Sequence, residues 1–412
     1  MPYLKNKIIN DPIYGFIHIP FDIISELIDH PYFQRLRRIS QLGLSSLVYP
    51  GANHNRFHHA IGAMHLMNQA IETLKSKGHN ISTEEHEASL IAIILHDIGH
   101  GPFSHALENT IVNNLSHEKI SIMFMKKLNE YFKNKLCLAI DIFQNKYHKQ
   151  FLHQLISSQL DVDRLDYLNR DSFYSGVNEG IINSQRIISM LNIKNNQLVV
   201  DYKGIYSIEK FIIARKLMYW QVYLHKTVLS AEHTLIKVLQ RAKQLAEQDV
   251  PIYTTPDLKL FLYMKQKINP RLFEKQNLLN HFSLLDDADI FTCLKNWMQA
   301  KDKILNFLAS TIMNRKLLKI KSIEKNKIEL TLKEIRRNIS NKFKITLEEA
   351  KYIAFSLSIK NDTYNLENNE IKFLQTNQQL VPLSEITNEF HMNRKNSSII
   401  KHYICYPEGC IN

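Results

Sequence analysis

Histidines are concentrated near the start of this sequence, and several of them stand beside carboxylates. Twelve of the nineteen histidines fall within the first 117 residues. His96 and Asp97 are adjacent and follow an apolar segment with helical periodicity. Neighbouring side chains on a helix point about 100° apart. Both can therefore bind one ion only if it lies beside that helix and other elements complete its coordination.

His59 and Asp163 are the candidates to complete this ion site. His59 lies in NRFHHAIG and Asp163 lies in DVDRLDYLNRD. Two imidazoles and two carboxylates form a mixed nitrogen and oxygen set that suits a divalent transition metal. Such a metal lowers the pKa of a bound water, which becomes a nucleophile. A His-Asp dipeptide alone is common, so this prediction depends on the sequence around it.

Helical periodicity extends from about residue 20 to residue 345. Residues 82–95 predict a helix that begins with a capping box formed by Ser82 and Glu85. Residues 57–75 predict a second helix, and residues 43–55 a loop. Further helices are predicted over 117–135, 151–170, 205–247 and 257–267.

The pattern changes after residue 345. Residues 352–359, 371–374 and 399–406 are predicted as short strands between Asn-rich turns. The predicted fold class is mainly α, with a helical core and a small α+β C-terminal region. We divide the chain into a core over 1–245, a basic helical extension over 246–345, and the α+β unit over 346–412.

The charge of the 412-residue chain is uneven. The net charge is +12. Residues 301–344 hold 13 Lys or Arg and 4 Asp or Glu, so this segment alone carries 13 − 4 = +9. A basic segment attracts anions such as nucleotides, nucleic acid or a membrane surface, or it is simply a solvated helical face.

Several features favour a cytoplasmic protein. The four cysteines form no CxxC pair, which is typical of a reducing compartment. The first residues have no apolar run after their charges, so we expect no signal peptide. No apolar stretch approaches the roughly 20 residues that cross a bilayer, so we expect no membrane association.

Four segments resemble, in the same order, those of the HD-domain deoxynucleoside triphosphate (dNTP) triphosphohydrolases. They are NRFHHAIG (55–62), HDIGHGPFSH (96–105), SHEKISIMF (116–124) and DVDRLDYLNRD (161–171). The likeness spans about residues 5–245 and implies an HD-domain helical core. It implies a divalent metal ligated by His59, His96, Asp97 and Asp163. Mn, Fe, Zn, Ni, Co and Mg all remain possible.

The resemblance also implies the chemistry. In this family water attacks the α-phosphorus and releases a deoxynucleoside and intact triphosphate. His100, His105, His117 and Glu118 would line the reacting centre. His105 is the candidate general acid, because an imidazole titrates near neutral pH. His117 and Glu118 would orient the attacking water or His105.

Eight further residues match the family's contacts with the dNTP substrate. Three cations would bind the triphosphate, two polar residues the 3′-hydroxyl, and two bulky residues would crowd C2′, while one tyrosine packs beside the sugar and phosphates. The three cations are Arg56, Arg164 and Arg215, and the two polar residues are Gln41 and Asp171. The two bulky residues are Leu42 and Tyr223, and the tyrosine beside the sugar and phosphates is Tyr167. Arg164 stands where the vertebrate enzyme of this family has a lysine. Both side chains are positively charged, but a forked guanidinium is not equivalent to an ammonium. A 2′-hydroxyl would meet an apolar wall, which disfavours ribonucleotides.

The resemblance further implies a regulatory site for an activating guanine nucleotide, held between subunits. The matching residues are Lys7, Ile8, Asn10, Asp29, Gln34, Arg37 and Lys226. We therefore expect a homo-oligomer, a dimer or a tetramer of closed symmetry. The vertebrate enzyme of this family joins a SAM domain to its HD domain. Only about thirty residues precede the first helix of the HD fold in this sequence, so we expect no SAM domain.

Two alternatives remain open. The first is another HD phosphohydrolase that acts on nucleoside monophosphates or on signalling nucleotides. Cyclic-dinucleotide enzymes would carry HDIGK where this chain has HDIGH, and tetraphosphate hydrolases would carry HDxxED where Gly101 and Pro102 stand. The second is a nucleic-acid-binding protein that uses residues 301–344, which would not require the metal ligands.

Overall fold

The computed structural model describes residues 7–104, 115–266, 277–361, 370–386 and 399–410, together with Thr110, Val112, Asn269, Leu272 and Phe273. The first element of the described structure is a β-hairpin. Strand β1 (Ile8–Asp11) pairs antiparallel with β2 (Gly15–His18). Asp11 closes the turn, because its Oδ1 accepts from the backbone N–H groups of Ile13 and Tyr14 at 2.9 and 3.1 Å. Sequence analysis did not predict this hairpin.

Helices form most of the next 170 residues. They are α1 (Asp22–Asp29), α2 (Pro31–Gln34), α3 (Arg56–Ser76), α4 (Thr83–Ile94), α5 (His117–Tyr131), α6 (Cys137–Phe143), α7 (Gln150–Ile156), α8 (Val162–Ser175) and α9 (Ser184–Met190). The predicted capping box is confirmed, since Ser82 Oγ accepts from Glu85 N–H and Glu85 accepts from Ser82 N–H. The two predicted helices over 57–75 and 82–95 are α3 and α4, which pack against each other.

Two predicted helices of this part have different bounds. The helix predicted over 117–135 ends at Tyr131, because Lys133 and Asn134 have positive φ angles of 55° and 64°. The helix predicted over 151–170 is two helices, α7 and α8. Asp161 separates them, since its extended backbone and its side chain, which accepts from Arg164 N–H, cap a new helix.

The predicted helix over 205–247 is also interrupted. It forms α10 (Ile205–Met218), a π-helical turn (Tyr219–Tyr223) and α11 (Lys226–Glu247). A π-helical turn shifts the register of side chains, and such turns are frequent at functional sites. The helix predicted over 257–267 is α12 (Pro256–Tyr263), which ends before residue 264.

The remaining helices lie between residues 278 and 386, where strands follow some of them. They are α13 (Leu278–Leu284), α14 (Asp287–Trp297), α15 (Lys303–Met313), α16 (Ile328–Phe343), α17 (Leu347–Ile353) and α18 (Leu383–Ile386). The basic segment 301–344 thus comprises α15, a strand and α16. Some of its lysines form exposed ion pairs, such as Lys327 with Glu324 at 2.9 Å.

Two small sheets complete the fold. Strands β3 (Leu191–Lys194), β4 (Gln197–Asp201), β7 (Lys372–Leu374) and β8 (Leu380–Pro382) form one sheet, in which β4 and β7 are parallel. Strands β5 (Lys319–Ser322), β9 (Ile399–Tyr406) and β6 (Phe355–Asn361) form the other. The strand predicted over 399–406 is β9, and that predicted over 371–374 begins one residue later. The one predicted over 352–359 begins only at Phe355, because α17 extends to Ile353.

Buried apolar side chains connect these parts. One continuous cluster of buried residues includes Ile17 of the hairpin, Leu66 of α3 and Cys410 near the last described residue. The predicted fold class, mainly α with small sheets, is confirmed. Among the described residues, every helix is too short or too polar to cross a bilayer.

Candidate metal centre and active site

Three packed helices carry the four predicted metal ligands. His59 lies in the first turn of α3, which Asn55 caps by accepting from His58 N–H at 3.2 Å. His96 and Asp97 follow the end of α4, and Asp163 lies in the first turn of α8. Because α4 and α8 both pack against α3, residues over 100 positions apart meet at one place.

The ligand atoms of this group converge on a common point. Asp163 Oδ1 lies 3.0 Å from His59 Nε2 and 3.6 Å from His96 Nε2. His96 Nε2 is also 3.3 Å from Asp97 Oδ1. Both Nε2 atoms are buried and make no hydrogen bond. Unpaired ring nitrogens directed at carboxylate oxygens fit a divalent metal.

Electrostatics keeps the two carboxylates ionised. Burial alone would raise the pKa of Asp97, but the Arg56 guanidinium and the two imidazoles hold it well below its usual range. His59 and His96 likewise outweigh burial at Asp163 and lower its pKa. Burial disfavours the charged form of His59, yet the facing carboxylates of Asp163 and Asp166 raise its pKa to about 10. Metal binding at this site would therefore compete with protonation of His59.

Asp166 supports the centre and was missed by the sequence analysis. His59 Nδ1 lies 2.7 Å from Asp166 Oδ2, which fixes the ring so that Nε2 faces the other ligands. Asp166 in turn accepts from Arg170 at 2.9 and 3.0 Å. The signal was present, because Asp166 follows Asp163 by three residues and shares its helix face.

Two predicted catalytic histidines lie beside the metal ligands. The rings of His100 and His117 stack with 3.9 Å between their centroids, and His100 Nδ1 is 3.4 Å from Asp97 Oδ1. Ser121 of α5 positions this turn by accepting from Gly99 N–H and donating to the carbonyl of His96. His105 lies outside the described residues.

A pocket of about 680 Å³ opens over this group. Predicted site residues supply half of its lining: Gln41, Leu42, Arg56, His96, Asp97, His100, His117, Glu118, Asp163, Tyr167, Asp171 and Tyr223. Residues that the sequence analysis missed also line it, among them Ser104, His153, Tyr219 and Glu232. Tyr219 and Tyr223 enter from the π-helical turn, which a uniform helical pattern could not reveal.

Asp171 is held rigidly in this pocket. His54 Nε2 lies 2.7 Å from one of its oxygens, and the Tyr223 hydroxyl donates to the other at 2.7 Å. His54 is buried and stacks on Tyr174 at 4.5 Å. Burial and Asp171 raise the pKa of Tyr223, so its hydroxyl remains a donor. The sequence analysis missed His54.

The three predicted phosphate-binding arginines differ in position. Arg56 lines the pocket, pairs with Asp97 and donates to Ser104 Oγ at 2.7 Å. Arg164 pairs with Asp161, and Arg215 donates to Gln159 at 3.1 Å, and neither lines the pocket. Both still lie close enough to Tyr167, which lines the pocket, for their positive charges to oppose the rise that burial causes in its pKa.

One acidic side chain of the pocket, Glu232, has a pKa raised far above that of an exposed carboxyl. Burial raises the pKa of Glu232 to about 8, although the backbone N–H of Leu44 acts in the opposite direction. Glu232 approaches Gly43, where an added Cβ would lie 2.8 Å from its Oε1. The carboxylic acid can thus both donate and accept a hydrogen bond inside the pocket.

The residues predicted for a regulatory site lie mostly on one surface. Lys7 Nζ pairs with Asp29 Oδ1 at 2.5 Å, and Gln34 donates to the carbonyl of Ile28 at 2.6 Å. Arg37 donates to Gln34 at 2.9 Å. Ile8 and Asn10 are exposed on β1, and Lys226 is exposed at the start of α11.

Comparisons with known proteins agree with this geometry. The HD domain family model matches residues 56–171, and the HD associated region matches residues 182–271. The uncharacterised protein YwfO of Bacillus subtilis is 32% identical over 76% of this chain and 71% of its own length. The Dictyostelium discoideum deoxynucleoside triphosphate triphosphohydrolase SAMHD1 homolog is 32% identical over 58% of this chain and 50% of its length.

A solved structure extends the likeness over nearly the whole chain. A phosphohydrolase from Bacteroides thetaiotaomicron superposes with a TM-score of 0.92 at 47% identity, covering 97% of this chain and 99% of the other. The four predicted metal ligands lie within the matched HD domain. The chain therefore belongs to the HD-domain phosphohydrolases, a family of metal-dependent hydrolases.

Proposed function

We propose that this protein hydrolyses deoxynucleoside triphosphates at the α-phosphorus and releases a deoxynucleoside and inorganic triphosphate. The observation that carries this proposal is that one pocket is lined both by three of the four predicted metal ligands, His96, Asp97 and Asp163, and by Asp171, which is predicted to bind the sugar. Two relatives named as deoxynucleoside triphosphate triphosphohydrolases, from Dictyostelium and from Gallus gallus, support the same substrate class.

The metal set supplies the nucleophile in this proposal. His59, His96, Asp97 and Asp163 would hold a divalent ion, which lowers the pKa of water and offsets charge on the phosphate. Arg56 keeps Asp97 ionised and adds a positive charge to the pocket. His117 and Glu118, at the start of α5, orient the attacking water. His105 remains the candidate donor of a proton to the leaving 5′-oxygen.

The sugar end of the pocket provides selectivity. Asp171, oriented by His54 and Tyr223, accepts a hydrogen bond from the 3′-hydroxyl, together with Gln41. Leu42 and the ring of Tyr223 border C2′, so that a 2′-hydroxyl would lose its hydrogen bonds to water.

Product analysis in ¹⁸O-labelled water tests the reaction. The protein is incubated with Mn²⁺ and dGTP, and the products are separated and weighed by mass spectrometry. We expect deoxyguanosine and triphosphate, with ¹⁸O in the triphosphate only. Release of dGMP with pyrophosphate, or of dGDP with phosphate, would contradict the proposal. The Asp163→Ala variant controls for a contaminating phosphatase.

We also propose that a guanine nucleotide binds at the surface formed by Lys7, Asp29, Gln34 and Arg37 and promotes assembly of subunits. Asp29 can accept from the N1–H and N2–H₂ groups of guanine, which adenine lacks, and Arg37 can donate to O6 or N7. In the described structure Lys7 forms an exposed ion pair with Asp29, so a nucleotide that binds Asp29 would have to break this pair.

A further inference from the structure

A chain of buried ionic contacts joins the N-terminal hairpin to the metal centre. Asp11 Oδ2 on β1 accepts from Arg170 Nη1 at 2.8 Å. Arg170 Nε donates to Asp166 Oδ2 at 2.9 Å, and that same oxygen lies 2.7 Å from His59 Nδ1. Each of the four side chains is at least 95% buried. Water therefore neither screens these contacts nor replaces any of them.

The fold reserves space for the middle of this chain. Gly62 of α3 faces the pair of Asp166 and Arg170, and a Cβ at this position would lie 2.1 Å from Asp166 Oδ1 and 2.2 Å from Arg170 Nη2. Arg170 uses its fork to bind two carboxylates on different elements, which a lysine could not do with the same geometry. An arrangement that excludes even a methyl group transmits a displacement at one end to the other.

Asp11 has two separable tasks. Its Oδ1 closes the hairpin turn by accepting from the backbone of Ile13 and Tyr14, whereas its Oδ2 binds Arg170. The strand that carries Asp11 also presents Ile8 and Asn10 to solvent. The position of the hairpin and the orientation of Arg170 are thus set by the two oxygens of one carboxylate.

We propose that the hairpin is a positioning element of the metal centre. Asp11 acts through Arg170 and Asp166 on the ring of His59 and so sets the affinity for the metal. The inference rests on the proposed function in that it takes His59 as a metal ligand. Asp11 touches neither metal nor substrate, and it is a positioning residue.

Metal affinity of the Asp11→Asn variant is the direct test. The amide oxygen of Asn can retain the turn, while the charge facing Arg170 is lost. Mn²⁺ is titrated against a competing chelator, with no substrate present. We expect the dissociation constant to rise about tenfold, the lower end of what supporting residues around metal ligands contribute. Arg170→Lys should weaken binding similarly.

Two further variants separate positioning from a general loss of stability. Asp302→Asn breaks a different Asp–Arg pair, the partly buried one with Arg241 at 2.5 Å, away from the proposed metal centre. It should lower the melting temperature without changing Mn²⁺ affinity. In an Asp166→Asn background, Asp11→Asn should have no further effect on affinity, because the chain is already broken.

The outcomes discriminate between the two proposals. If native protein binds neither Mn²⁺ nor Fe²⁺, Zn²⁺, Ni²⁺, Co²⁺ or Mg²⁺, the proposed metal centre fails and this inference fails with it. If native protein binds Mn²⁺ and Asp11→Asn matches it within twofold, only the inference is overturned. It is also overturned if Asp302→Asn weakens Mn²⁺ binding as much, or if Asp11→Asn has its full effect beside Asp166→Asn.

Discussion

The Tyr223 hydroxyl donates to Asp171 across 2.7 Å, so the residue predicted to exclude a 2′-hydroxyl also orients the residue predicted to bind the 3′-hydroxyl. These two tasks can be separated by substitution. Tyr223→Phe keeps the ring but removes the hydrogen bond, whereas Tyr223→Ala removes both.

Sugar selectivity follows from this relationship. We expect native protein to prefer dGTP to GTP by at least ~10-fold in kcat/KM, because the 2′-hydroxyl is left unpaired. Leu42→Ala combined with Tyr223→Ala should narrow the preference. Tyr223→Phe should raise KM for dGTP while most of the preference remains. Equal turnover of GTP and dGTP by native protein would contradict the assignment of this wall.

Loss of Asp163 should abolish hydrolysis. Asp163→Ala removes the carboxylate whose Oδ1 lies 3.0 Å from His59 Nε2 and 3.6 Å from His96 Nε2. Mn²⁺ binding and activity should therefore fall to background while the circular dichroism spectrum is unchanged. Glu72→Ala, an exposed substitution on α3, is the control and should retain activity. Full activity of Asp163→Ala would refute the ligand set.

Glu232 predicts a pH dependence of substrate binding. With its pKa near 8, Glu232 gains a negative charge as the pH rises through 8, in a pocket that binds a triphosphate. KM should therefore increase several-fold between pH 7 and pH 9. Glu232→Gln should have a flatter profile over this range. An identical rise in the Gln variant would assign the effect to another group.

The same shift has a consequence for stability. The folded protein binds the Glu232 proton more tightly than the unfolded chain, whose carboxyl has a pKa near 4.5. The contribution of Glu232 is therefore fully present below pH 4.5 and is lost as the pH rises through 8. In urea titrations, the unfolding free energy of native protein minus that of Glu232→Gln should therefore be smaller at pH 9 than at pH 6.

Gly62→Ala should destabilise the protein even though it lies within a helix. Alanine in place of a helical glycine normally stabilises by about 1 kcal/mol. Here the methyl group would overlap Asp166 and Arg170, and separating a buried ion pair costs roughly 3–5 kcal/mol. We expect a net loss of at least about 2 kcal/mol in urea unfolding. Unchanged or increased stability would show that the pair can shift without cost.

Guanine nucleotides should promote assembly. A nucleotide that binds only between subunits favours the assembled form by linkage, and turnover should rise with it. GTP is added while sedimentation and dATP hydrolysis are followed in parallel. Asp29→Ala should weaken both responses. Absence of any response in native protein would leave residues 7–37 with a structural role alone.

Sequence reasoning was most successful where residues act through local spacing. The capping box formed by Ser82 and Glu85 and the predicted helix that became α3 both follow from contacts between residues three or four positions apart. Asp161 was different. It is one of three acidic residues in a short stretch, and only the fold shows that it caps α8 and divides the predicted helix 151–170.

Long-range partners could not be predicted in the same way. His54 lies in a segment predicted as a loop, and its partner Asp171 is 117 residues later. Asp11 and Arg170 are 159 residues apart. No periodicity links such positions, because their distance is set by the packing of α3 with α8 and of the hairpin with both. The resemblance predicted candidates for substrate contact, among them Tyr223, which also holds Asp171, but it did not predict His54, Asp166 or Asp11.

The parallel pairing of β4 with β7 has a consequence for synthesis of the chain. Val200 pairs with Phe373, so a ribosome adds 373 − 200 = 173 residues between the two partners. At about 5–20 residues per second, this takes roughly 10–35 s. During that time the β3–β4 hairpin has emerged with one edge unpaired, and unpaired strand edges are sites of aggregation. Translation speed and chaperone supply should therefore affect the yield of native protein more than the stability of its finished fold suggests.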